Sequence, residues 1–137
     1  MLTTELLHPA ILRAIAACGH GDKILITDGN YPLDSDVNEK TEKVYLALKP
    51  GLPKVTDVLL ALKSQVNFEK AEVMSPGTGE DPEIYNEFKK ILEIDELTKL
   101  GRQEFYDACK KADNLKLGIN TAEERVFANI LLMIGVR

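Results

Sequence analysis

Gly19-His20-Gly21-Asp22-Lys23-Ile24-Leu25-Ile26-Thr27-Asp28-Gly29-Asn30-Tyr31-Pro32 is the stretch on which the fold turns. Ile24, Leu25 and Ile26 stand in a row with no polar interruption. A strand with one wet face alternates, so a short unbroken apolar run reads as a strand covered on both faces, the setting of a parallel sheet. Gly19 before it is a helix stop, Asp28 follows at the strand's carboxyl end, and Gly29, Asn30 and Pro32 mark a loop.

Working outward, His8-Pro9 followed by Ala10 to Ala17 reads as a helix with proline in its first turn, where the missing N–H costs little. Val44 to Leu48 is a second strand candidate, broken by Pro50, Gly51 and Pro53. Val55, Val58, Leu59 and Leu62 fall at helical spacing and predict an amphipathic helix. Ala71 to Met74 reads as a strand, Ser75 to Pro82 as a loop, Pro82 to about Ile94 as a helix, and Arg102 to Ala112 as a shorter helix. Leu115 to Ile119 and Ile130 to Ile134 are the last strand candidates. Strands alternating with helices predict an α/β fold, a three-layer α/β/α single domain with a mostly parallel sheet, over residues 1–137. Such sheets take ligands beyond the carboxyl ends of their strands. Four places qualify: the loop from Asp28, the loop from Ser75, the helix start at Arg102, and the segment from Asn120 to Asn129.

Length and composition set the class. A chain of 137 residues fits one core, and 45% apolar with 28% charged residues is ordinary for a globular protein. No stretch nears the roughly 20 apolar residues that cross a bilayer, and the N-terminus lacks the pattern of a signal peptide. Cys18 and Cys109 then read as reduced thiols and the cytoplasm as the compartment. A net charge of −5, with acids and lysines interspersed, argues against nucleic acid as a partner.

Two clusters carry candidate chemistry. His20 and Asp28 could meet in one pocket, with histidine as a group that gives and takes protons near neutrality; His20 could equally just end the first helix. Glu123, Glu124, Arg125, Phe127 and Asn129 precede the last strand. Asn129 can both donate and accept, which suits sugar hydroxyls, and Phe127 offers a ring face. The plainer reading is a turn with solvated charges, Phe127 packed inside and Asn129 opening the strand. Arg102 and Tyr106, four apart, share one helix face that either enters a pocket or lies on the surface. His8 is assigned no chemistry. Other chemistries fail on spacing: two cysteines far apart in the chain, with only two histidines in all, make no zinc site. Ser75-Pro76-Gly77-Thr78-Gly79 lacks the lysine of a phosphate loop, and Pro82 stands where a dinucleotide fingerprint needs its third glycine.

Taken together these segments resemble a known family. Gly19-His20-Gly21-Asp22 with Asp28 and Tyr31-Pro32 resembles the N-terminal signature of the D-ribose pyranase and L-fucose mutarotase family. Phe127-Ala128-Asn129-Ile130-Leu131-Leu132, ending in Gly135-Val136, resembles its C-terminal signature, and Arg102 with Phe105-Tyr106 a third segment. The resemblance spans the chain and implies a cofactor-independent isomerase that opens and recloses the ring of a free monosaccharide. It implies His20 as catalytic acid/base, Asp28 holding His20 or a sugar hydroxyl, and Arg102, Tyr106, Phe127 and Asn129 as substrate-binding groups. It also implies ring-shaped homo-oligomers, often decamers, with each site at a subunit contact, and no metal. Two departures bear on the sugar: Phe127 replaces a tyrosine, and Glu124 stands where fucose-type members often carry arginine. The first motif leans toward the fucose branch. Alternatives are a ribose pyranase, a silent sugar binder on the same fold, and a receiver-type module with Asp28 as phosphoacceptor. The receiver reading lacks an acidic cluster at the strand end and a late-strand lysine.

Overall fold

A computed structural model describes residues 1–137. In chain order the elements are α1 (Pro9–Ala16), β1 (Lys23–Thr27), β2 (Glu42–Tyr45), α2 (Val55–Lys63), β3 (Phe68–Met74), α3 (Glu83–Leu92), β4 (Thr98–Leu100), α4 (Arg102–Lys111), β5 (Leu115–Asn120) and β6 (Ile130–Ile134). The strands form one sheet in the order β2-β5-β1-β6-β3-β4. β1, β2 and β5 run parallel to one another, as do β3 and β4, while β6 runs antiparallel to both its neighbours, β1 and β3.

The apolar run of β1 does what its composition dictates. Ile24 and Ile26 face the larger core with α1, α2 and α3, while Leu25 faces a second core under α4. All three side chains are 0% exposed, and full burial of an aliphatic side chain contributes about 1.5–3 kcal/mol, so this strand anchors both layers. On the second face Phe105 and Cys109 of α4 pack with Tyr31, Leu33 and Val37 from the chain after β1. Gly118 in β5 admits Leu33: a Cβ there would lie 2.7 Å from Leu33 Cδ1. The three layers and the mostly parallel sheet agree with the sequence expectation.

Local signals fix the helix ends. Pro9 opens α1, and His8 Nδ1 accepts from the Ile11 N–H at 3.4 Å. Asp57 accepts from the Lys54 N–H at 2.8 Å and Glu104 from the Gly101 N–H at 3.1 Å, each satisfying a donor at a helix start. Glu93, at φ 58°, ends α3 just short of the expected Ile94. Two strand expectations need correction. β2 is Glu42–Tyr45 rather than Val44 to Leu48, because the chain leaves the sheet before Lys49 and Leu52 form an isolated bridge. β4 was not expected: it is a three-residue edge strand without an apolar run, held by pairing to Glu72, Val73 and Met74. No helix is long and apolar enough to cross a membrane. Both cysteines are free thiols.

Candidate active site

The direction of β6 decides where the site can form. Running against its neighbours, it begins at the edge where β1 and β3 end. Three of the four places expected from the sequence converge there. Asp28, Asn30 and Tyr31 follow β1, Arg102 and Tyr106 come from the first turns of α4, and Val126, Phe127 and Asn129 precede β6, with Met74 closing β3. Together they enclose a pocket of about 310 Å³. The Ser75 loop does not line it.

Asp28 organises this pocket. Its side chain is buried, at 3% exposure. Oδ1 accepts from the backbone N–H groups of Asn30 and Tyr31 at 2.9 and 3.0 Å. Oδ2 accepts from the Ala128 N–H and from Asn129 Nδ2, both at 3.3 Å. The Asp28 N–H in turn donates to Asn129 Oδ1 at 2.8 Å, which fixes the orientation of that amide. Burial pushes the Asp28 carboxyl above the usual carboxylate value, and the four donors only partly offset it. The two longer bonds fall on Oδ2, so that oxygen retains capacity for a further donor, such as a hydroxyl.

The walls are aromatic and aliphatic. Tyr31 stacks on Tyr106 with ring centroids 5.3 Å apart, and meets Phe105 edge-on at 6.2 Å. The Tyr31 hydroxyl points inward, buried and without a hydrogen-bond partner, and burial raises its pKa. Burial likewise pushes the nearby Cys109 thiol up to about 12, so it is an inert core group rather than a nucleophile. Phe127 adopts φ 58°, a left-handed conformation unusual for an aromatic residue. It follows that the backbone bends here to place Phe127 in the wall while Ala128 and Asn129 turn in to Asp28.

His20 is elsewhere. It precedes β1 while Asp28 follows it, and the five residues of that strand, at about 3.3 Å each, separate them by about 16 Å. The expectation that the two meet in one pocket is therefore corrected for a single chain. His20 instead lies at the sheet's other edge, half exposed, with Nε2 at 2.9 and 3.0 Å from the two carboxylate oxygens of Glu69.

The second cluster also divides. Phe127 and Asn129 enter the pocket, whereas Glu123 and Arg125 form an ion pair beside it. Glu123 is 4% exposed and accepts from Arg125 Nε at 3.1 Å and Nη2 at 2.9 Å; Glu87 of α3 binds Arg125 Nη1. Burial opposes the Glu123 charge, but the hydrogen bonds and charge of Arg125 outweigh it and hold the carboxyl below its usual range. The reading of both as solvated is thus wrong for Glu123. Sequence reasoning also missed Met74, Val126 and Glu69 as neighbours of the candidate residues. Only the position of Met74 at a strand end carried a signal. No group of three or more His, Cys, Asp or Glu side chains is arranged to hold a metal ion.

Fold and pocket define a class: three-layer α/β proteins with a small, polar, aromatic-walled pocket at the carboxyl edge of a mixed sheet. The chain belongs to the RbsD / FucU transport protein family, whose model matches residues 1–137. It is 34% identical over 136 residues to a D-ribose pyranase of Paracidovorax citrulli, covering 99% of this chain and 98% of that one. The solved structure of Bacillus subtilis RbsD complexed with D-ribose superposes with a TM-score of 0.85 at 28% identity, covering 100% and 99% of the two chains. The fucose mutarotase of Streptococcus pneumoniae, in complex with L-fucose, shares the fold with a TM-score of 0.84 at 24% identity, covering 100% and 99%.

Proposed function

We propose that this protein is a cofactor-independent isomerase that opens and recloses the ring of a free monosaccharide. The observation that carries the reading is the Asp28–Asn129 pair. A buried carboxylate and an amide locked in orientation form a polar floor, with Arg102 and Tyr106 beside it and ring faces as walls. Such a pocket offers hydroxyl-binding groups of both polarities and an apolar surface for the face of a sugar. The name of the P. citrulli relative supports the same activity.

The chemistry needs only proton transfer. A base takes the proton of the anomeric hydroxyl while an acid protonates the ring oxygen, and the bond between the anomeric carbon and the ring oxygen breaks. The open-chain aldehyde rotates about one bond. Reclosure on the other face inverts the anomer; reclosure through another hydroxyl changes ring size. One positioned acid/base typically accelerates such a step by ~10²–10⁴-fold. His20 is the candidate, and in our reading it is supplied to the Asp28 pocket by a neighbouring copy of the chain, within a ring-shaped homo-oligomer such as a decamer. The position of His20 at the far edge of its own sheet supports this division, since it leaves each pocket without a histidine from its own chain. Asp28 and Asn129 then hold sugar hydroxyls, Arg102 and Tyr106 orient the ring, and Phe127 covers its apolar face.

D-ribose is the sugar that the relatives' names favour. A second reading, L-fucose, rests on the apolar side of the pocket. Met74, Val126 and Phe127 could receive the methyl group that fucose carries and ribose lacks. Proton NMR exchange between the anomers of each sugar tests both readings. Accelerated exchange that disappears in His20→Ala is expected, and the sugar exchanged faster is the substrate. Saturable sugar binding without acceleration would instead mean a silent binder.

A further inference from the structure

We propose that Glu69 is the positioning residue of His20: it holds ring nitrogen Nε2 and thereby presents Nδ1 to the sugar. The inference rests on the reading of His20 as the acid/base. A carboxylate only accepts, so Nε2, at 2.9 and 3.0 Å from the two Glu69 oxygens, is the protonated nitrogen. In the neutral ring the lone pair then resides on Nδ1, which is free to take a proton from an anomeric hydroxyl.

Three features of the backbone converge on this contact. Phe68 pairs with Ile134 and Lys70 with Met133, so Glu69 is the extra residue of a β-bulge in β3. A bulge re-aims a side chain, and this one sends Glu69 toward His20. Gly135 leaves the space: a Cβ there would lie 3.1 Å from Glu69 Cβ and 3.4 Å from its backbone nitrogen. His20 is tied on both sides of its Cα. The Gly19 N–H donates to Asp22 Oδ2 at 2.9 Å, and the Gly21 N–H to the Ile134 carbonyl at 2.9 Å. Asn114 Nδ2 adds a bond to the Gly21 carbonyl at 2.8 Å, and Gly21 supplies the left-handed φ of 89° that the turn requires. Both side chains are solvent-exposed, and exposed ion pairs contribute little stability. The bulge, the glycine and the tethered turn are therefore better explained by the placement of an imidazole than by folding energy.

The test uses Glu69→Ala and Glu69→Gln in the full chain. With only two histidines, long-range ¹⁵N NMR of the imidazoles assigns His20 by comparison with His8→Gln. The wild type should show His20 locked as the Nε2–H tautomer alone at alkaline pH, and E69A should relax to the mixture of a free imidazole, in which Nε2–H is favoured but Nδ1–H is clearly populated. In the anomer-exchange assay E69A should lower kcat by about 10- to 100-fold with KM unchanged, as expected when a reacting group is mispositioned but the pocket is intact. E69Q retains an acceptor oxygen and should recover most of both signals. An unchanged tautomer or an unchanged kcat in E69A would overturn the proposal, as would a rise in KM alone. If the wild type exchanged no sugar, the isomerase reading would fail, and the tautomer shift would by itself decide whether Glu69 positions His20.

Discussion

Asp28→Asn isolates the balance between burial and hydrogen bonding at the centre of the pocket. The asparagine oxygen can remain in the Oδ1 position and accept from Asn30 and Tyr31. Its NH₂ must then face two donors, the Ala128 N–H and Asn129 Nδ2. Asn129 cannot turn its amide to help, because its Oδ1 already accepts from the Asp28 N–H. Two buried donors lose their acceptor at about 1 kcal/mol each, so the variant should be about 2 kcal/mol less stable at pH 7. For a chain of this size that is a Tm lower by roughly 7 °C. The pH dependence has a definite sign. Burial raises the Asp28 pKa in the folded protein, so the folded state binds the proton more tightly than the unfolded chain. Wild-type stability from this group is fully present below the ordinary carboxylate value of 3.8 and is lost as pH rises through the raised folded value. The gap between wild type and Asp28→Asn should therefore widen as pH is lowered from 7 toward 4. Urea unfolding of both proteins across that range measures it, and all other titrating groups cancel in the difference. A gap that narrows toward acid would mean that the four donors outweigh burial and that the folded Asp28 pKa is lowered rather than raised.

Arg125→Ala removes the partner of Glu123, which is 4% exposed, and should cost about 2–3 kcal/mol at neutral pH in urea unfolding; the figure lies below that for a fully buried pair because Arg125 is itself 40% exposed. Because the folded Glu123 pKa is depressed, that penalty should shrink as pH falls through the carboxylate range. Gly118→Ala places a methyl group 2.7 Å from Leu33 Cδ1, and Leu33 is 2% exposed with no room to swing away, so a loss of about 1–3 kcal/mol is expected. Adding Leu33→Ala should cost less than its own single-variant penalty, and strict additivity would contradict the contact. Phe127→Tyr adds a hydroxyl to the wall and should lower the sugar KM by up to about tenfold, the value of one hydrogen bond, with little change in Tm.

Much of this molecule was legible because its signals are local. The Ile24-Leu25-Ile26 run, proline at the start of α1 and the helical spacing from Val55 to Leu62 each report a nearby cause, and each element appeared where that cause stands. The illegible parts depend on the sheet as a whole. Periodicity says that Ile130 to Ile134 is a strand but not that it runs antiparallel, and that direction is what carries Asn129 to Asp28. β4 exists only because Thr98 to Leu100 find an edge to pair with. His20 and Asp28 looked adjacent because eight positions separate them in the chain. An extended strand between them converts that closeness into opposite ends of the sheet. Glu123 looked solvated because a sequence does not reveal that Arg125 folds back onto it. That Phe127 and Asn129 line the pocket was recoverable, since they stand at a strand boundary where loops meet.

In the proposed site two copies of the chain meet, with His20 from one and the Asp28 pocket from another. Co-expression of His20→Ala and Asp28→Asn chains at equal levels tests it directly. Each variant alone should be inactive in anomer exchange. In mixed closed oligomers one pocket in four would combine an intact His20 with an intact Asp28, restoring about a quarter of wild-type activity. A site contained within one chain would regain nothing on mixing, and that result would rule out the two-chain site.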